Sequence, residues 1–177
     1  MSTTEPAYRV GHGYDLHRLE PPPPAGAGRP LVLAGTPLEH DRGPVGHSDG
    51  DAVYHAVTDA LLGAIGAPDI GELFPDTDPA LDGADSGLFL DVALARAAKA
   101  GWRVANLDVT VVCERPRLAP HKAAMRRQLA TRLNCPCERV NVKGKTGEGV
   151  DAIGEGRALA VHCVVLLEQS IGEGVAS

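Results

Sequence analysis

Aromatic residues are scarce in this chain: three tyrosines, two phenylalanines and one tryptophan, 3% of 177 residues. Binders of single-stranded nucleic acid stack bases on such rings, and few platforms are on offer here. A net charge of −6 points the same way, against a general nucleic-acid binder. Long apolar runs are missing too, so no membrane-spanning helix is expected. The opening MSTTEPAYRV has neither the apolar core of a signal peptide nor an Arg-rich transit character, which makes the cytoplasm the expected compartment. Cysteine is limited to Cys113, Cys135, Cys137 and Cys163, without a C-x-x-C pair, so reduced thiols are expected. No internal repeat or linker stands out. Residues 1–177 therefore read as one domain, with tails at 1–7 and 168–177 and a proline-rich loop at 21–30.

What is present is periodic. Residues 8–17 read as a strand, 31–34 as a short strand, and Gly35-Thr36-Pro37 as a turn. From Asp51 the pattern becomes helical: Val53, Ala56, Val57, Ala60, Leu61, Ala64 and Ile65 form one apolar stripe, stopped by Gly66 and Pro68. Ser48 or Asp49 is the expected N-cap. A second amphipathic helix is expected over 86–100, with Leu88, Val92 and Ala95 around its turns. In 102–114, Leu107, Val109 and Val111 alternate with Asp108 and Thr110, as in a strand. A third helix spans 120–133, and 140–143 is a strand. Ala158 to Leu167 is nearly all apolar, so a strand buried on both faces is expected. Without regular βαβα alternation, the class is α+β: a mainly antiparallel sheet with helices packed on one face.

The chemistry concentrates in a few stretches. In GHGYDLH, an extended Gly11–His17 turns Asp15 and His17 to the same side. His55, within the first helix, is the candidate third ligand, with Asp51 or Asp59 four residues away as acceptors to orient its ring. One carboxylate and two imidazoles leave a tetrahedral ion one open position, as in catalytic zinc sites. On spacing alone, a D-x-H is also a common hydrogen-bonded pair. His47 and Ser48 sit at the helix entrance, where free N–H groups favour phosphate. KGKTGEG (143–149) ends like a Walker motif but lacks the early glycine, since Arg139 stands there; a glycine-rich loop meeting phosphate through Lys145 and Thr146 fits better. Glu148 is a ligand for a hard divalent cation.

Taken together, RVGHGYDLHRL, GHSDGDAVYHAVTDALLGAIGAPDIGELFPDTDP, NLDVTVVCERPRLAPH, NVKGKTGEGVD and GEGRALAVHCVVLL resemble the 2-C-methyl-D-erythritol 2,4-cyclodiphosphate synthases, over nearly all of 9–167. The resemblance implies an α+β subunit in a homotrimer with active sites between subunits. It implies Zn2+ on Asp15, His17 and His55, and a second cation, Mg2+ or Mn2+, on Glu148. His47 and Thr146 would stabilise the transition state. Asp15, His17, His47 and Ser48 would also meet substrate phosphates. Asp69, Ile70 and Gly71, with Phe74, Pro75, Asp76, Thr77 and Asp78, would hold the erythritol end. Cys113, Glu114, Arg115, Pro116, Arg117, Leu118 and Ala119, with Lys145, Thr146, Gly147 and Glu148, would hold cytidine and its phosphates from the neighbouring subunit. The implied reaction is intramolecular phosphoryl transfer in 4-diphosphocytidyl-2-C-methyl-D-erythritol 2-phosphate, releasing CMP in non-mevalonate isoprenoid synthesis.

The chain departs from the common pattern at Lys145, where many members carry threonine, and at Glu155 and Arg157, where charges are exchanged. In the common form this segment lines a trimer-axis cavity proposed to bind isoprenoid diphosphates; with these charges, an alternative is that Glu155 and Arg157 pair across subunits at the axis. Two rival readings are a metal-dependent phosphoesterase, and a trimeric binding module whose zinc is closed by a fourth ligand from His12, His40 or His47.

Overall fold

Strand β1, Tyr8–Glu20, is written with a period of two, and the two sets of side chains have different fates. Gly11 and Gly13 are buried and Asp15 and His17 nearly so, while Tyr8, Val10, Tyr14 and Leu16 face outward and stay exposed. A computed structural model describes residues 7–170. After β1 come β2 (Val32–Leu33), β3 (Thr36–Pro37), β4 (Gly43–Pro44), α1 (Ala52–Ala64), α2 (Ile70–Leu73) and α3 (Ser86–Lys99). Then follow β5 (Trp102–Val112), α4 (Lys122–Arg132), β6 (Val140–Lys145), α5 (Asp151–Gly154) and β7 (Ala158–Gln169).

Five strands form one sheet in the order β4-β1-β7-β5-β6. All pairs are antiparallel except β5 with β6. The helices cover one face, giving the expected α+β, mainly antiparallel domain. Leu107, Val109 and Val111 of β5 pair with Val165, Cys163 and Val161 of β7, and all six side chains are buried beneath the helices. A register shift between Val104 and Asn106 lets β5 keep this alternation although Trp102 and Val104 also point inward. Helix α1 lies across β1 and β7, α3 packs on α1, and α4 covers β6.

Several expectations are corrected. Strand β7 is not buried on both faces: His162 and Val164 are exposed, because no helix covers that side of the sheet. Glu168 and Gln169 belong to β7 rather than to a tail; residues 1–6 and 171–177 lie outside the described part. The turn precedes Thr36-Pro37, which is strand; Ala34 and Gly35 take it with φ of 53° and 66°, as a two-residue hairpin requires. On α3 the buried side chains are Phe89, Leu90, Ala93 and Ala97, whereas Leu88 and Val92 face outward. Arg157 Nε also donates to Glu155 Oε2 at 2.6 Å inside the chain, which does not bear on pairing across subunits.

The cap of α1 is neither Ser48 nor Asp49 but Asp51. Its carboxylate accepts from Val53 N and Tyr54 N at 3.1 and 3.2 Å, and also from Ala34 N and Gly35 N at 2.9 and 2.7 Å. One fully buried side chain thus ties the β2–β3 hairpin to the helix start. Burial pushes its carboxyl up to about 6, against the pull of those backbone donors. The native state then holds this proton more tightly than the unfolded chain. Asp51's contribution to stability is complete below about pH 4 and is lost as pH rises through about 6. Asp51→Ala strands four N–H groups, so it is expected to cost about 3 kcal/mol in urea unfolding and to flatten that pH dependence.

Candidate metal centre and active site

Two glycines decide how closely α1 can approach β1. A methyl added at Gly13 would overlap the carbonyl oxygen of Ala56, and one at Gly11 that of Ala60. Ala56, Ala60 and Ala64 supply the small facing stripe on the helix. With helix and strand in backbone contact, His55 reaches the next two inward positions of β1, Asp15 and His17. Nδ1 of His17 stands 2.7 Å from Asp15 Oδ2, and Nδ1 of His55 stands 3.3 Å from the same oxygen.

This set fits a metal ion. The ligand atoms of Asp15, His17 and His55 all lie within 4.8 Å of one another. Asp15 Oδ2 and His17 Nδ1 are buried and close, but neither makes an aligned hydrogen bond. Such orphans are costly unless something joins them. Burial raises the Asp15 carboxyl, but the adjoining imidazoles outweigh it and hold it well below the usual carboxylate range. Asp15 is therefore ready as an anionic ligand. Two nitrogens and one carboxylate oxygen suit zinc, with a fourth position free. Among the described residues no fourth protein ligand joins them. His12 Nε2 instead meets His162 Nδ1 at 3.4 Å, His40 meets Asp41, and His47 Nε2 meets Asp78 O at 3.1 Å.

The outer nitrogen of His55 is held differently from expectation. Asp51 is consumed by the cap, and Asp59 accepts from Ile70 N at 2.8 Å, so neither orients the ring. His55 Nε2 lies 2.8 Å from Ser86 Oγ, the first residue of α3, and 3.2 Å from Ser48 Oγ. Ser86 in turn donates to Asp49 Oδ1. Ser86 escapes a linear reading because it lies 31 residues from His55 and reads as a helix start.

Other expected site residues gather in two places. Phe74 stacks on Phe89 with ring centroids 4.5 Å apart, and Phe89 lies 6.0 Å from His55. The far end of the FPDTD segment is tied to His47, whose Nε2 meets Asp78 O. Asp69 caps α2 and lines a cavity of about 370 Å3 with Gly13, Tyr14 and Asp59. Burial, helped by the charges of Asp69 and Asp15, raises the Asp59 carboxyl.

A separate cavity of about 280 Å3 is lined by Cys113, Glu114, Pro116, Arg117, Leu118 and Ala119 with Lys145 and Thr146. Glu148 stands beside it: its Oε1 accepts from Thr146 Oγ1 at 3.0 Å, while Gly147 N donates to Glu114. None of its lining residues is a metal-group residue, so within one chain the two halves are distinct. No helix follows Thr146 until α5, which excludes a Walker loop. Among the described residues no helix is long and apolar enough to cross a membrane.

Comparison with known proteins agrees with this geometry. The family model described as the YgbB family matches residues 8–168. The chain is 51% identical over 162 residues to the chloroplastic 2-C-methyl-D-erythritol 2,4-cyclodiphosphate synthase of Catharanthus roseus, covering 91% of this chain and 66% of that one. It is 48% identical to the same synthase of Chromobacterium violaceum, covering 92% and 99%. Among solved structures, the bifunctional IspDF of Campylobacter jejuni superposes with a TM-score of 0.84 at 37% identity, covering 92% of this chain and 42% of that one. The CDP complex of IspF from Plasmodium falciparum superposes with a TM-score of 0.81 at 30% identity, covering 94% and 99%. The glycine-spaced strand, the three converging ligands and the matched span together place this chain in the YgbB family, that of the 2-C-methyl-D-erythritol 2,4-cyclodiphosphate synthases.

Proposed function

We propose that this chain converts 4-diphosphocytidyl-2-C-methyl-D-erythritol 2-phosphate to 2-C-methyl-D-erythritol 2,4-cyclodiphosphate with release of CMP. The observation that carries the reading is the convergence of Asp15, His17 and His55, with no fourth protein ligand among the described residues. In the reaction, an oxygen of the 2-phosphate forms a bond to the β-phosphorus. The bond from that phosphorus to the bridging oxygen breaks, and CMP departs with the electron pair. The nucleophile is already an anion at neutral pH, so no strong general base is required. The barrier lies in aligning like charges, and catalysis rests on positioning and charge neutralisation.

The residues divide this work. Zn2+ on Asp15, His17 and His55 would supply Lewis acidity to a phosphate oxygen. His47 and Ser48 lie in the loop that leads into α1, where they would orient phosphate beside the metal group. Asp69, Ile70, Gly71 and the Phe74–Asp78 segment would enclose the erythritol end and keep water from the β-phosphorus. The cavity under Cys113–Ala119 would take the cytidine, with Lys145, Thr146 and the Gly147 amide on its phosphates. Glu148, a lone exposed carboxylate, suits Mg2+ or Mn2+ that is shared with substrate phosphates.

We place the two half-sites together through a homotrimer, each cytidine cavity facing the metal group of a neighbour. The uncovered face of the sheet supports such an assembly: Val10, Leu16 and Val164 stand 67%, 53% and 45% exposed on adjacent strands. The free state of the four thiols suits the cytoplasm.

Incubating the protein with the cytidine diphosphate substrate, zinc and magnesium, and following the products by phosphorus NMR, tests the reading. A cyclic diphosphate with CMP is expected. A linear product or free phosphate would instead indicate a metal-dependent phosphoesterase. Glu148→Gln is expected to raise the magnesium concentration needed for half-maximal rate by about tenfold while leaving bound zinc unchanged. An unaltered magnesium titration would count against the role given to Glu148.

A further inference from the structure

We infer that Asp49 and Ser86 are positioning residues that fix His55 in the one tautomer able to bind a metal ion. The inference rests on the metal reading of Asp15, His17 and His55, and it follows from counting protons. A neutral imidazole carries a proton on one nitrogen and a lone pair on the other. Only the lone pair can ligate. The tautomer is set by what the outer nitrogen meets.

Ser86 Oγ has a single proton and three polar neighbours: Asp49 Oδ1, His55 Nε2 at 2.8 Å and Ser48 Oγ at 3.3 Å. A carboxylate only accepts, so the Ser86 proton goes to Asp49. Asp49 is itself held, since Oδ1 also accepts from Asp51 N at 3.1 Å. With its proton committed, Ser86 can offer His55 only a lone pair. Two acceptors then compete for the imidazole proton, Ser86 Oγ at 2.8 Å from Nε2 and Asp15 Oδ2 at 3.3 Å from Nδ1. Asp15 Oδ2 has His17 Nδ1 closer, at 2.7 Å, so the Ser86 contact wins: the proton sits on Nε2 and the lone pair on Nδ1 faces the metal group. Ser48 completes the count: its oxygen accepts from Gly50 N at 3.2 Å, and its proton has Ser86 Oγ to go to. Ser86 is fully buried and Ser48 is 7% exposed, so water does not compete for these groups. The arrangement links the loop before α1 to the start of α3, two segments that share no strand or helix.

Removing Asp49's acceptor should reverse the order. In Asp49→Ala the Ser86 proton becomes free to point at His55 Nε2, which moves the imidazole proton to Nδ1. Asp49→Asn keeps an oxygen at the same place and should preserve the wild-type tautomer. In Ser86→Ala the 2.8 Å acceptor is gone, while alanine is well tolerated at a first helical position.

The test uses histidine-15N-labelled full chain without metal, at a pH where the ring is neutral. Long-range proton–nitrogen spectra show which His55 nitrogen carries the proton. Zinc affinity of the same proteins is read by competition with a chromophoric chelator. The wild type and Asp49→Asn are expected to show protonated Nε2. Asp49→Ala and Ser86→Ala are expected to shift toward protonated Nδ1 and to bind zinc about 10- to 100-fold more weakly. Should one alanine variant fail to fold, the other with Asp49→Asn still decides. Protonated Nδ1 in the wild type, or full zinc affinity in a folded alanine variant, overturns the inference. If no protein binds zinc but the wild-type ring is protonated on Nε2, the metal reading fails while the hydrogen-bond relay stands.

Discussion

His55→Ala is expected to strip zinc from the chain and to lower CMP release by at least about 1000-fold. Asp15 and His17 would remain, but both sit on one strand, to one side of the site. Two ligands on one strand do not enclose an ion as they do with a third from the facing helix. The loss should be chemical rather than structural. The His55 side chain is 13% exposed, at the rim of the core. Its removal leaves Ser86 still bonded to Asp49, and Asp15 keeps His17 beside it. A stability loss of only about 1–2 kcal/mol is expected. Metal analysis of the purified variant, with urea unfolding beside it, checks both halves. A folded variant retaining one zinc per chain would remove His55 from the ligand set.

Gly13→Ala is expected to have the largest effect on folding, at least about 4 kcal/mol, with much of the expressed chain insoluble. The added methyl would meet not a flexible side chain but the Ala56 carbonyl and the Ala60 amide of α1. Neither can move without shifting the helix. Because α1 carries His55, any molecules that do fold should bind zinc more weakly. Gly63→Ala supplies the comparison. Gly63 lies on the outer side of the same helix with its nearest foreign atom, His12 O, 4.0 Å away. There the exchange should stabilise the chain by about 0.5–1 kcal/mol. Equal denaturation midpoints for the two variants would refute the close-approach argument.

These contrasts also explain what could be read from the linear chain. Helices α1 and α3 and strand β5 are legible as elements because each carries a regular apolar period, but the buried face of α3 and the register shift in β5 are not, since both depend on what packs against them. Asp15, His17 and His55 are legible as candidates because ligand chemistry depends on residue type, and D-x-H has the right spacing in a strand. Asp51 as cap is not, because half of its partners are the Ala34 and Gly35 amides, brought to it only by a hairpin of two-residue strands. Ser86 is hidden for a similar reason: its role exists only once α3 has docked on α1. The β7 expectation failed for a different cause. An apolar strand tells that both faces avoid water, but not whether a helix of its own chain covers each of them.

The register of β1 carries one last consequence. A slip by one residue would exchange its two faces at every position. His12 and Tyr14, or Val10 and His12, would be driven into the gap at Gly11 and Gly13 that admits no methyl group, while Asp15 and His17 would turn out to solvent. Few strands punish misalignment by both sterics and lost ligation. Threading of this strand is accordingly close to all-or-none, and a loaded ion certifies that the chain has been assembled in its correct frame.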